Sequence, residues 1–287
     1  MEKFQDESLF ESYVIIDGRK FISHGATYPF PSDEIEANRL NNRHFRIRWI
    51  WKENFAAPIK EKLAADKMTV LDIGCGTGAW IVDMAKEYPR SSFVGVDLIN
   101  LFPGEEETKK NLLFLQMNVL DRLPFDDGSF DFVHQRDLMH AYTETQWQTI
   151  VIPEIARVTK SGGYCEFYEE SDKWEDQGPI YENISNTFSC IMATKGVNSS
   201  IATRIEEFLK ENGQFTDIKV LVERMPVGSY AGRIAELTLE NTLNELAGLK
   251  PILKAPLGVT DQEFDNMIGE LRKECDECKT WFKAYRY

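Results

Sequence analysis

Through the middle of the chain, short apolar runs alternate with stretches whose apolar positions recur every three or four residues. Residues 68–73 predict a strand closed by Gly74, and residues 79–88 a helix ended by Pro89. Three more strands fall at 92–97, 112–117 and 130–134, and Thr143-x-x-Gln146 suits the capping box of a following helix. Gly162 and Gly163 open a fifth strand at 164–169. Residues 201–210 are helical and end near Gly213, and 215–224 read as a sixth strand. Helical stretches cover about 231–247 and 260–273, and the aromatic end, 280–287, reads as a seventh strand, a hairpin partner of the sixth. Strands alternating with helices predict a mostly parallel sheet covered on both faces.

The N-terminal part follows a different pattern. The first 25 or so residues mix charge and aromatics without a sustained period, and read as a loosely held arm. Tyr28-Pro29-Phe30-Pro31 stays extended, and Ser32 or Asp33 caps a helix that begins there. From Glu34 to Lys62 apolar residues recur at helical spacing, with Pro58 breaking or restarting the helix. The expected division is an arm and helical cap at 1–66 and an α/β domain at 67–287, the latter with a helical insertion at about 229–278. Both helical additions are expected to cover the ligand edge of the sheet.

Composition narrows the function. In 287 residues, 33 Lys and Arg face 47 Asp and Glu, a net charge of −14 that repels phosphate backbones and anionic lipid. General nucleic-acid or membrane-surface binding is not expected, and no apolar run reaches the roughly 18 residues of a bilayer span. The acidic N-terminus lacks an apolar signal core, and the five scattered cysteines fit a reducing compartment. A cytoplasmic location is expected, with a nuclear one left open. Cys275-x-x-Cys278 is a single half-site on a solvated helix, so no metal is expected.

The strongest chemical signal is Val70-Leu71-Asp72-Ile73-Gly74-Cys75-Gly76-Thr77-Gly78-Ala79-Trp80. A strand runs into three alternating glycines and then a helix, so the backbone can turn tightly and approach a ligand. Two ligands compete. Gly74-x-Gly76-x-x-Ala79 satisfies a relaxed dinucleotide fingerprint, whereas Asp72 repels a pyrophosphate and attracts a ligand carrying ammonium and sulfonium groups, as S-adenosylmethionine (SAM) does. Asp97, ending the second strand, can accept from two ribose hydroxyls and indicates adenosine in either case. Asn118 and Val119, after the third strand, are placed for an adenine edge.

Taken in order, VLDIGCGTGAW, FVGVDL, MNVLDRLPFDDGSFDFVHQR and KSGGYCEFYEE resemble a class I SAM-dependent methyltransferase over roughly 70–170. Upstream, Tyr28-Pro-Phe-Pro-Ser-Asp-Glu, Arg39-Leu40, His44 and Ala57-Pro58 are similar to the N-terminal region of LaeA-like fungal methyltransferases, whose usual Gln-His is Arg43-His44 here. The resemblance implies a Rossmann-like seven-stranded sheet with the last strand antiparallel. It implies that Gly74, Cys75, Gly76 and Gly78 hold the methionyl part with Asp72 shaping the loop. Asp97, with Leu98 beside it, would bind the ribose, and Asn118 and Val119 would flank the adenine. His134, Gln135 and Arg136 would follow the fourth strand beside the sulfonium.

The implied reaction is methyl transfer to an oxygen, nitrogen or sulfur of a small-molecule, secondary-metabolite-like acceptor, with S-adenosylhomocysteine as product. If the acceptor is a hydroxyl, a base helps. His140 is the first choice, His134 and His44 are also within reach, Glu169 and Glu170 are alternatives, and His24 lies in the arm. Trp49, Trp51, Trp80 and Trp174 invite an aromatic pocket, but Trp49 and Trp51 cannot share one helix face. Three other readings stay open: a protein methyltransferase favouring basic substrates, a NAD-dependent oxidoreductase, and a non-catalytic SAM-binding regulator.

Overall fold

A computed structural model describes residues 13–22, 27–65, 67–104 and 110–287. His24 therefore lies outside the described residues. In chain order the elements are β1 (Tyr13–Ile16), β2 (Arg19–Ile22), α1 (Glu34–Trp51), α2 (Lys60–Ala65), β3 (Thr69–Ile73), α3 (Ala79–Glu87), β4 (Ser92–Asp97) and β5 (Leu112–Gln116). There follow β6 (Phe130–Arg136), α4 (Glu144–Gln146), α5 (Ile152–Val158), β7 (Thr159–Glu170), α6 (Pro179–Thr194), α7 (Ile205–Asn212), β8 (Leu221–Pro226), α8 (Arg233–Leu257), α9 (Asp261–Cys278) and β9 (Trp281–Arg286). A π-helical turn, Trp147–Val151, joins α4 to α5.

Seven strands form one sheet in the order β5-β4-β3-β6-β7-β9-β8. The pairings β3–β4, β3–β6, β4–β5 and β6–β7 are parallel, and β9 runs antiparallel to both neighbours. This is the Rossmann-like α/β architecture expected from the pattern. The strand order reverses beside β3, so a crevice opens past the carboxyl ends of β3, β4 and β6.

Local rules account for most boundaries. Asp33 caps α1 by accepting from the Glu36 N–H at 3.0 Å, and its carboxylate also pairs with Arg19. Thr143 and Gln146 close the expected capping box, and Gly213 ends α7 in the left-handed region at φ 72°. Trp49, on the outer side of α1, is 57% exposed, as its two-residue offset from Trp51 requires.

Four expectations are corrected. The arm is not loose throughout, because Tyr13–Ile16 and Arg19–Ile22 form a hairpin around Asp17-Gly18, both at positive φ as a tight two-residue turn demands. The sixth strand starts at Leu221 rather than 215, since Asp217 at φ 52° breaks the extension. The last strand does pair with the sixth but lies inside the sheet, between β7 and β8. Helix α6 was not anticipated, although Pro179 starts it and Tyr181, Ile184, Phe188 and Met192 keep one buried face.

Helices pack on both faces. Trp80, Ile81 and Met84 of α3 share a core with Val70, Phe93 and Phe132. Trp147, Ile155, Ile205 and Phe208 cover the other face with Leu71, Val133 and Phe167. A third core joins the additions: Ile47 of α1, Ile184 of α6, Leu246 of α8 and Phe264 of α9 meet Tyr168 and Phe282 of the sheet.

Candidate functional site

The glycine loop folds as its spacing demands. Gly74, Gly76 and Gly78 all have φ between 57° and 75°, a region costly for other residues. A Cβ on Gly74 would lie 2.4 Å from Leu138 Cδ1, and one on Gly78 2.5 Å from the Phe114 ring. The loop is stitched to its neighbours. Cys75 N–H donates to the Val96 carbonyl at 3.0 Å, Gly76 N–H to Asp97 Oδ2 at 2.7 Å, and Thr77 Oγ1 to Asn41 Oδ1 of α1 at 2.6 Å. Asp97 also accepts from Ile99 N–H at 2.8 Å, so it organises the loop as well as facing the crevice.

Over this loop lies a cavity of about 470 Å³. Of the residues singled out in the sequence, Asp72, Gly74, Cys75, Gly76, Asp97, Leu98, Asn118, Val119 and His134 line it. Two predicted residues do not. Gly78 stands behind the loop as the N-cap of α3, against Phe114. Gln135 is fully buried, because alternation along β6 turns it to the face opposite His134 and Arg136. Asn118 is already engaged, its side-chain oxygen accepting from Leu120 N–H at 3.0 Å.

Electrostatics separate the acids from the bases. Burial pushes the Asp72 carboxyl up to about 7 against the opposing pull of Arg136 and His44. Burial likewise raises Asp97 to about 6, although the Ile99 and Gly76 amides favour its charged form. His134 is driven the other way, to about 3, by burial and then by Arg136. It is therefore neutral, and its Nδ1 is hydrogen-bonded to Asp72 Oδ1 at 2.7 Å while its ring stacks on Trp80. That geometry suits a residue orienting Asp72 better than the base expected at this position. His44 does not reach either cavity. It is buried, with Nδ1 accepting from Arg136 at 3.4 Å and Nε2 facing Asp83 at 3.0 Å.

A second cavity, of about 90 Å³, adjoins the first. The two share Tyr28, Leu40, Arg43 and Asp137 in their walls. Arg43 grips Asp137 through two bonds of 2.9 and 2.8 Å and reaches Glu170 and Glu245 at 3.0 and 3.1 Å. His140 lines this second cavity, with Nε2 2.7 Å from Asp172 Oδ2. Burial alone would lower the His140 pKa, but the charge and hydrogen bond of Asp172 outweigh it and raise it. Glu169 is fully buried, which pushes its pKa well up, and its two oxygens accept from the Leu138 and Met139 amides, which favour the charged form. Glu170 is bound to Arg43 and Arg46, so neither acid is free as a base.

Sequence reasoning missed Arg43, Asp137 and Asp172 as parts of the site. Asp137 and Asp172 sit just past the carboxyl ends of β6 and β7, where α/β proteins bind ligands, and that position was the available signal. Asp137 also holds φ at 59° without being glycine, a conformation that only the folded loop enforces.

Residues 70–163, about a third of the chain, match the family described as a methyltransferase domain. The secondary metabolism regulator laeA of Coprinopsis cinerea is 33% identical over 147 residues, covering 50% of this chain and 36% of that protein. The chain thus spans about a third of the length of that relative. The N-methyltransferase tcpN of Claviceps purpurea is 24% identical over 266 residues, 88% of this chain and 93% of that protein. Among solved structures, Haemonchus contortus phosphoethanolamine N-methyltransferase 2, in complex with phosphomonomethylethanolamine and S-adenosylhomocysteine, shares the fold with a TM-score of 0.50. It is 19% identical and covers 93% of this chain and 60% of that one. Residues 70–163 are thus similar to a methyltransferase domain, and the relatives of the chain include a LaeA regulator. A methyltransferase domain implies SAM as its cofactor. The residues present fit that group: two carboxylates, Asp72 and Asp97, face a cavity over the glycine loop where a cationic nucleoside is favoured and a pyrophosphate is not.

Proposed function

We propose that the protein transfers a methyl group from SAM to an oxygen, nitrogen or sulfur nucleophile of a small-molecule, secondary-metabolite-like acceptor. The observation that carries this reading is the adjoining pair of cavities, one over the glycine loop and a smaller one beyond Arg43 and Asp137. About 90 Å³ is the scale of a few heavy atoms of a free molecule. In this reading Gly74, Cys75 and Gly76 border the methionyl part, with Gly78 supporting the turn. Asp97 takes the ribose hydroxyls, with Leu98 beside it, and Asn118 and Val119 flank the adenine.

The cofactor supplies a methyl carbon already activated by positive sulfur. The task of the chain is alignment, which can provide about 7–11 kcal/mol of the barrier. His134 holds Asp72 in place, and Arg43 and Asp137 set the junction through which the nucleophile approaches. His140 accepts the acceptor's proton where one must leave, using Nδ1, since Nε2 faces Asp172. From the five unpaired cysteines we infer a reducing, cytoplasmic location, with a nuclear one open.

Calorimetry with SAM and S-adenosylhomocysteine tests the cofactor half. Release of S-adenosylhomocysteine across an acceptor panel tests the transfer half, and failure to bind either nucleoside overturns the reading. The similarity to laeA favours a second one, a regulator that binds SAM without turnover. Tight binding with no release across the panel would select it. The net charge of −14 leaves a protein acceptor as a further outcome, read as labelled methyl on extract proteins.

A further inference from the structure

The second cavity is built around negative charge and aromatic rings. The carboxylates of Asp137, Glu170, Asp172 and Glu245 line it, against the guanidinium groups of Arg39, Arg43 and Arg46. Arg39 also spends two bonds on Glu36, at 2.8 and 2.6 Å. The arginines occupy Glu170 and Asp137, but each of the other two carboxylates keeps an oxygen without a partner among the described residues. Asp172 uses only Oδ2, toward His140, and Glu245 only Oε2, toward Arg39 and Arg43. His140, 93% buried by its 7% exposure, likewise has no partner at Nδ1.

The rest of the wall is aromatic. Phe188 lies 5.0 Å and Phe30 5.9 Å from the His140 ring, and Trp174 stacks on Tyr181 at 3.4 Å. Aromatic faces beside carboxylate oxygens attract cations, at roughly 0.5–2 kcal/mol per ring contact. Nε and Nη1 of Arg46 also lack partners but are buried, so the accessible free atoms are the carboxylate oxygens of Asp172 and Glu245, which repel an anion. Size limits the occupant further. At about 90 Å³ the cavity has the scale of a compact group of a few heavy atoms, such as an aliphatic headgroup.

We propose that this cavity is the acceptor subsite for a compact aliphatic amine, bound as its ammonium ion between Asp172, Glu245 and the aromatic wall. Asp172 bridges two partners, His140 on one oxygen and the amine on the other, and the ammonium gives a proton to the partnerless Nδ1 of His140, which frees the nitrogen lone pair for the methyl group. The inference rests on the methyltransferase reading and narrows its acceptor class.

The test is ligand-observed NMR on protein loaded with S-adenosylhomocysteine, using n-butylamine, n-butanol and butyrate as isosteric probes. Butylamine is expected to show saturation transfer and butyrate none. Asp172→Asn and Glu245→Gln are each expected to cut the butylamine signal at least fivefold with unchanged S-adenosylhomocysteine affinity. Thermal melts identify a variant that has merely unfolded, and the other variant then decides. Equal or stronger binding of butanol or butyrate, or an amine signal unmoved in the folded variants, overturns the amine subsite. In that case intact nucleoside binding would leave the methyltransferase reading standing; lost nucleoside binding by the unaltered protein would remove both.

Discussion

Asp72 and His134 are register partners on adjacent parallel strands, and the imidazole Nδ1 lies 2.7 Å from the carboxylate. The contact holds a carboxylate at the lip of the glycine loop, and the stack on Trp80, with ring centroids 3.7 Å apart, leaves the imidazole one orientation. A hydrogen bond to a charged group contributes about 1.5–3 kcal/mol. His134→Leu is therefore expected to weaken SAM binding by about tenfold or more. Isothermal calorimetry measures it, and unchanged affinity would deny His134 this positioning role.

The raised carboxyls give a pH signature. Asp72 at about 7 and Asp97 at about 6 both lie above the ordinary 3.8, so the folded protein binds more protons than the unfolded chain between those values. Their contribution to stability is fully present below about pH 4 and is lost as pH rises through 6 to 7. Cofactor binding runs the opposite way, because the cationic nucleoside prefers the ionised acids. SAM affinity is expected to fall as pH drops from 8 to 5.5, and Asp72→Asn to flatten that dependence. A titration series by calorimetry checks both.

Glu170 behaves with the opposite sign. Burial would raise its pKa, but Arg43 and Arg46 prevail and hold it at about 2. Its stabilising contribution is present above the ordinary 4.5 and is lost as pH falls through 4.5 toward 2. Arg43→Met takes a cation from the half-buried carboxylates of Asp137 and Glu170, a change expected to cost about 1–3 kcal/mol at neutral pH. Denaturant unfolding at pH 7 and pH 4 should show a smaller loss at the lower pH.

Gly78→Ala meets two obstacles, a left-handed φ of 75° and the Phe114 ring 2.5 Å from the new Cβ. The backbone cost is about 1–2 kcal/mol and overpacking adds about 1–3. A fall of several degrees in melting temperature is expected, with weakened cofactor binding because α3 starts at this residue.

His140→Gln is expected to lower kcat by about 10²- to 10⁴-fold while leaving SAM affinity unchanged, since His140 lines only the second cavity. Asp172→Asn removes the charge that raises the His140 pKa, so the acidic limb of the pH–rate profile should move to lower pH. A profile unmoved by Asp172→Asn would argue against the dyad.

Local and periodic information determined much of this protein. Alternating strands and helices, the three glycines, Asp97 at a strand end and the Thr143–Gln146 box could be read directly, because each depends on residues close in sequence. The Asp17-Gly18 hairpin and the Pro179 helix start carry local signals of the same kind. What the chain alone could not decide is which distant charges meet. Arg43 of α1 reaches Asp137, Glu170 and Glu245 from three other parts of the chain, and His140 finds Asp172 only when β6 and β7 lie side by side. Tertiary packing also turned Gln135 away from the crevice and gave His134 to Asp72 rather than to an acceptor. Propensity acts over a few residues, whereas pKa values and cavity walls are set by neighbours across the sheet, and those are fixed only when the chain closes on itself.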